Sequence, residues 1–198
     1  MFDLVALIKT AGYFGLFGII FAESGLLIGF FFPGDSLLFT AGFLASQGFL
    51  DIWLLMGLTF IAAVLGDSAG YMFGEKIGPA IFSKEDSWFF NKNNVYKAEK
   101  FFKKHGSKTI VLARFLPVVR TFVPILAGVG TMPYRTFIVY NLIGGALWSL
   151  GLSLLGYFLG SLIPGVDRYL LPIIILIIVL SILPSAWHVW RERSKKIN

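Results

Sequence analysis

The sequence predicts an all-α membrane protein: an inverted repeat of re-entrant hairpin plus transmembrane helix, with amphipathic surface helices and a C-terminal transmembrane helix. Three observations predict it. Charged residues make up 14% of the chain and hydrophobic ones 57%, with mean hydropathy +0.79, whereas soluble domains carry about 25% charge. Two of the apolar runs are broken by proline, glycine and charge together. The two halves of the chain also match at a constant offset. There is no cysteine, which excludes disulfides and thiolate metal sites. The net charge of +6 could suggest nucleic acid as a partner, but its distribution argues against that. Eight lysines fall between Glu75 and Lys108, and Arg191, Arg193, Lys195 and Lys196 close the chain. Basic clusters flanking apolar spans mark the cytoplasmic side.

Taken in order, residues 2–8 form a short apolar run bounded by Asp3 and Lys9, expected as an interfacial helix. They lack the pattern of a signal peptide. Residues 13–32 are long enough to span, yet contain Glu23 and stop at Pro33-Gly34-Asp35. Residues 36–45 are too short to cross back at about 1.5 Å per residue. A span is expected over 52–73, interrupted by Asp67, and then the lysine-rich loop of 79–108. In that loop Ala98, Phe101, Phe102 and His105 recur at helical spacing opposite Lys97, Lys100, Lys103 and Lys104, an amphipathic helix ending at Gly106. Pro117 and Pro124 are expected to divide 109–131 into two arms of roughly ten residues, each about half a bilayer deep. Residues 137–159 form an uncharged span. Residues 170–187 form the last one, ending at Trp187, Trp190 and a basic tail.

The repeat has an offset of 86, the separation of Ala41-Gly42 from Ala127-Gly128 and of Gly70-Tyr71-x-x-Gly74 from Gly156-Tyr157-x-x-Gly160. Ile52/Ile138 and Ile77/Ile163 agree. The counterpart of 13–32 is 99–118, which holds Lys100, Lys103, Lys104 and Lys108 and cannot cross a membrane. Symmetry therefore favours a re-entrant hairpin in both halves. The chain divides into one membrane domain, 1–198. Its first repeat is 1–78 (hairpin 13–46, span 52–73) and its second 109–165 (hairpin 109–131, span 137–159), with the last span and tail in 168–198. One hairpin and one span per repeat inverts the second repeat relative to the first, with a site where the hairpins meet. With 79–108 cytoplasmic, the first hairpin dips from outside and the second from inside. Both basic clusters then lie on the cytoplasmic side.

Apart from loops and termini, the charges at membrane depth are Glu23, Asp35, Asp67, Arg114 and Arg120. A charged side chain there costs about 2.5 to 3.5 kcal/mol on the most lenient scale, so such groups face protein or a cavity. Structural roles are available to each. Glu23 and Arg114 could pin the hairpins together as an ion pair. Asp35 could cap the half-helix that follows it. Asp67 could sit at the interface or bond a neighbouring helix, and for Asp67 that reading is favoured. The functional reading has Arg114 and Arg120 converge on one anionic group, since guanidinium binds phosphate oxygens bidentately and half-helix ends add oriented dipoles. Glu23 and Asp35 then become candidate proton carriers, facing the arginines across mid-membrane. Asn141 and Asp67 are secondary candidates, and Pro33, Gly34, Pro117 and Pro124 shape the hairpins. No cofactor is expected and no metal: His105 and His188 are far apart. Ser24 and Ser36 have no histidine base nearby, and no phosphate loop with lysine occurs. The chain is not expected to be an enzyme.

Glu23-Ser24-Gly25, Phe32-Pro33-Gly34-Asp35 and Ala41-Gly42 resemble the first signature of the DedA membrane protein family. Arg114-Phe115-x-Pro117-x-x-Arg120-x-x-x-Pro124-x-x-Ala127-Gly128, then Met132, Phe137, Asn141, Gly144 and Trp148, are similar to the second. The resemblance covers roughly 13–160, with no departure at the positions of Glu23, Asp35, Arg114 and Arg120. It implies a multi-pass protein of the cell membrane that moves lipid. In bacteria that lipid is notably undecaprenyl phosphate, recycled for envelope synthesis with dependence on the proton-motive force; eukaryotic relatives scramble phospholipids. It also implies that the two acids and two arginines are the essential residues. The expected partners are an anionic lipid, protons and the bilayer, with a homodimer as one arrangement. The alternatives are a phospholipid flippase or scramblase, and a proton-coupled exporter of small solutes or drugs. From other classes come a lipid phosphatase and a non-transporting assembly factor.

Overall fold

A computed structural model describes residues 4–25, 34–82, 102 and 106–162, and among them all regular structure is helical. Helix α1 spans Leu4–Gly25 and is broken at Gly12, whose φ of 57° and ψ of −153° suit glycine and few other residues. The break falls where the sequence separates a short first helix from the arm carrying Glu23. Helix α2 is Gly34–Ser46, with Asp35 in its first turn, where the helix dipole favours a carboxylate. The tip between α1 and α2, with Pro33, lies outside the described residues.

Helix α3, Ile52–Phe82, continues past the expected end of the first span at 73 and past the boundary set at 78. It runs on through Gly78-Pro79, where the proline removes one backbone hydrogen bond without ending the helix. Helix α4, Lys108–Ala113, is short. The chain then bends through Arg114, Phe115 and Leu116 into α5, Pro117–Val129. Leu116 is extended (φ −117°, ψ 104°) because a residue before proline is pushed out of the helical region. Pro117 itself starts the new helix, where its missing N–H costs nothing. Pro117 thus divides the segment as expected, but Pro124 does not: α5 runs through it. The two arms are six and thirteen residues long rather than equal. Only one backbone bond, to the Arg120 carbonyl, is lost at Pro124, and the helix is held by packing along α3.

Helix α6, Tyr134–Gly145, passes through a π-helical turn, Ala146–Leu150, into α7, Gly151–Leu162. Residues 52–76 and 134–162 are each long and apolar enough to cross a membrane. Gly106, with φ 73°, donates its N–H to the Phe102 carbonyl, the geometry of the helix end expected there. The remainder of the lysine-rich loop, the last span and the basic tail lie outside the described residues.

Packing pairs α2 with α7, α5 with α3, α1 with α3, and α4 with α6. The closest approaches are made by glycine. Gly42 on α2 lies against the Ser153 carbonyl on α7, and Gly128 on α5 against the Tyr71 carbonyl on α3; a Cβ at either would collide with backbone. One apolar cluster joins Leu16, Ile20, Leu38, Phe43, Leu55 and Trp148; a second joins Tyr71, Ile110, Val123, Ala127 and Phe137. The outward faces are apolar too. Phe14, Trp53, Leu112, Leu155 and Leu162 are all exposed, a surface suited to lipid contact.

Candidate functional site

Five charged side chains are brought into the interior, and they sort into two clusters. In the first, Arg120 on α5 reaches back to the first half of the chain. Its Nη1 donates to Asp35 Oδ1 at 2.6 Å and its Nη2 donates to Glu23 Oε1. Glu23 Oε1 also accepts the Gly34 N–H at 3.1 Å, while Oε2 has no hydrogen-bond partner. Gly34 is required by this packing, because a Cβ there would fall on the Glu23 carboxylate. Trp148, on the π-helical turn, donates its Nε1–H to Asp35 Oδ1 at 2.7 Å, and its ring lies 4.9 Å from the Arg120 guanidinium carbon. Glu23 is 1% exposed, whereas the Asp35 side chain is 18% exposed. Asp35 is therefore the acid from which the cluster opens.

The second cluster is built on α3 and α6. Arg114 Nη2 donates to Asp67 Oδ2, to Asn141 Oδ1 at 2.6 Å and to the Ala63 carbonyl at 3.3 Å. Asn141 in turn donates to the Val64 carbonyl at 3.1 Å. Tyr134 donates to Ser68 at 3.2 Å. Gly144 makes room for the arginine, since a Cβ there would press on its side chain. Arg114 also lies 6.0 Å from the Trp148 ring, so the one indole borders both clusters.

The expected facing of arginines and acids is thus realised for Arg120 but not for Arg114. The suggested Glu23–Arg114 pair does not form; Glu23 pairs with Arg120 and Arg114 with Asp67. Asp67, favoured as an interfacial or helix-bonding residue, is 4% exposed and carries the whole charge balance of Arg114. Trp148 was not among the expected site residues, although its position in an otherwise uncharged span was a signal. A cavity lined by Tyr71, Glu75, Thr131, Met132 and Tyr134 holds none of the five charged groups. Among the described residues no three His, Cys, Asp or Glu side chains are grouped to hold a metal ion.

A helical protein with two lipid-compatible spans and a buried, ion-paired interior is an integral membrane protein, and the comparisons name its family. Residues 32–158 match the VTT domain. The chain is 45% identical to protein DedA of Escherichia coli over 193 residues, covering 96% of this chain and 88% of that one. It is 48% identical to an uncharacterized membrane protein of Mycobacterium leprae over 180 residues, covering 89% and 80%. It is 37% identical to the inner membrane protein YghB of Escherichia coli over 164 residues, covering 82% and 74%. The chain belongs to the DedA family of VTT-domain membrane proteins. No solved structure matches it.

Proposed function

We propose that this protein is a transporter, not an enzyme, that moves a lipid with a phosphate head group across the cell membrane in a step coupled to proton binding. Undecaprenyl phosphate is the leading substrate, in line with the resemblance to the DedA signatures. The observation that carries this reading is the state of Arg120: both of its Nη groups are engaged by carboxylates, Glu23 and Asp35, from two different helices. A phosphate would need those same donors, because bidentate recognition uses the guanidinium edge. Head group and carboxylate therefore compete. Protonation of Glu23 or Asp35 weakens its hold on Arg120 and leaves the edge open to the anion. Head-group binding is then accompanied by proton uptake, and release of one favours release of the other.

The inverted repeat of re-entrant hairpins belongs to the same reading. It is supported by the packing of α2 on α7 and of α5 on α3, pairs that exchange under the offset of 86, as do the glycine approaches at Gly42 and Gly128. The lysine-rich loop and C-terminus are cytoplasmic on the charge argument. A phosphatase is disfavoured because neither cluster holds a histidine base beside a hydroxyl nucleophile. A phospholipid flippase or a small-solute exporter would use the same guanidinium, and the experiment separates them. Full-length protein is reconstituted into liposomes, and leaflet accessibility is followed for undecaprenyl phosphate and for ordinary phospholipids, with and without a pH gradient. Gradient-dependent movement of the polyprenyl phosphate, abolished in Arg120→Ala, is the expected result. If neither lipid moves under any gradient, the reading is wrong.

A further inference from the structure

Trp148 is engaged with both arginines and with one of the acids, and nothing in the transport scheme above yet uses it. We propose that Trp148 is a positioning residue that sets how readily Arg120 gives up its carboxylates for an anionic head group; the inference rests on the phosphate-lipid reading. Two donors, Trp148 Nε1 and Arg120 Nη1, meet on the same atom, Asp35 Oδ1, at 2.7 and 2.6 Å. An indole N–H is a donor only. It therefore shares the oxygen with Arg120 while the ion pair is closed and keeps a hold on Asp35 when Arg120 leaves. The ring does the complementary task for the arginine. Its face lies 4.9 Å from the Arg120 guanidinium carbon, and a cation over a ring face keeps its hydrogen-bonding edge free. Arg120 is thereby held in place after the carboxylates let go.

The backbone around Trp148 agrees with this role. It lies in the middle of the π-helical turn Ala146–Leu150, a local widening of the helix that costs regular bonding and is enriched at functional sites. Arg120 from α5, Arg114 from the bend before α5 and Asp35 from α2 meet the indole, and the arginines' remaining acid partners are Glu23 from α1 and Asp67 from α3.

The test uses full-length protein in phosphatidylcholine nanodiscs and a fluorescent polyprenyl phosphate, titrated from acidic to mildly alkaline pH. Trp148→Phe keeps a ring and removes the N–H, so Asp35 Oδ1 is no longer shared with the indole and holds Arg120 more tightly. Binding should weaken about tenfold at neutral pH and recover toward wild type as the carboxylates are protonated. Trp148→Leu, lacking ring and donor, should stay weak even at acidic pH. In an Asp35→Asn background the Phe change should add little, because the carboxylate charge that competes for Arg120 is gone. Pairing the changes in this way also guards against a variant that folds poorly, since folding defects would add rather than cancel. Equal affinity of wild type and Trp148→Phe at every pH would overturn the inference while leaving the phosphate reading standing. Absence of binding by folded wild type would overturn both.

Discussion

Arg114 and Arg120 are six positions apart in sequence and border the same indole, yet their surroundings differ in kind. Arg114 is balanced by one acid, with a neutral amide and a backbone carbonyl completing its contacts on α3 and α6. That cluster is formally neutral, though Arg114 Nε is left without a hydrogen-bond partner. Arg120 faces two acids, so its cluster carries one formal negative charge in excess, and Glu23 retains an oxygen without a partner. The difference teaches that equal residue types on one bent segment can take different partners: Arg114 ties the bend to α3, while Arg120 ties α5 to two acids of the first half.

The comparison is most exposed to changes at the pair of Arg114 and Asp67. Arg114→Ala leaves Asp67 buried and alone, and should cost about 3 to 5 kcal/mol of stability. Combining Asp67→Leu with Arg114→Met should recover most of it, because apolar replacement of a buried pair is often neutral. A thermal melt in detergent measures both. If Arg114→Ala melts like wild type, that tie does not exist. Next in size is Gly34→Ala, whose Cβ displaces the Glu23 carboxylate. It should cost about 1 to 3 kcal/mol and suppress lipid movement in liposomes. Unaltered movement would remove Glu23 from the site.

Lysine scanning then sharpens the contrast between the arginines. Arg120→Lys keeps a charge for the acids but loses the bidentate edge, so head-group affinity should fall about tenfold or more while the retained charge limits the loss of stability. Arg114→Lys should show the reverse ranking, losing more stability than affinity. Equal responses at the two positions would erase the distinction. The smallest effect is expected at Thr59→Val. Its hydroxyl meets Ser149 at 2.8 Å away from both clusters, and hydrogen bonds between membrane helices average about 0.6 kcal/mol. A larger loss there would mean that the polar contact between α3 and the π-helical turn supports the site.

Much of the fold was legible because its causes are local. Apolar length marks the two spans, and proline's effect on the preceding residue marks the bend at Leu116–Pro117. Pro124 was misjudged for a reason of context: a proline removes one backbone bond, and a helix packed along its neighbour can absorb that loss. Of the two structural roles open to Asp67, bonding a neighbouring element is the one the structure shows, and the interfacial one fails because α3 runs on past it and buries it. Trp148 is quoted only as a signature residue without a role, because nothing in an apolar span shows that its N–H has a carboxylate partner.

Composition, hydropathy and the signature residues were enough to assign a membrane protein of this family and to single out the five buried charges. Which charges meet was decided only in three dimensions. Glu23 and Arg120 are 97 residues apart, Asp35 and Arg120 are 85, and Asp67 and Arg114 are 47. Local pattern governs whether a segment is helical and which groups cannot face lipid. Pairing depends on how α3 and α5 pack and on the close approaches that glycine permits, and in a low-dielectric interior the nearest opposite charge takes the partner.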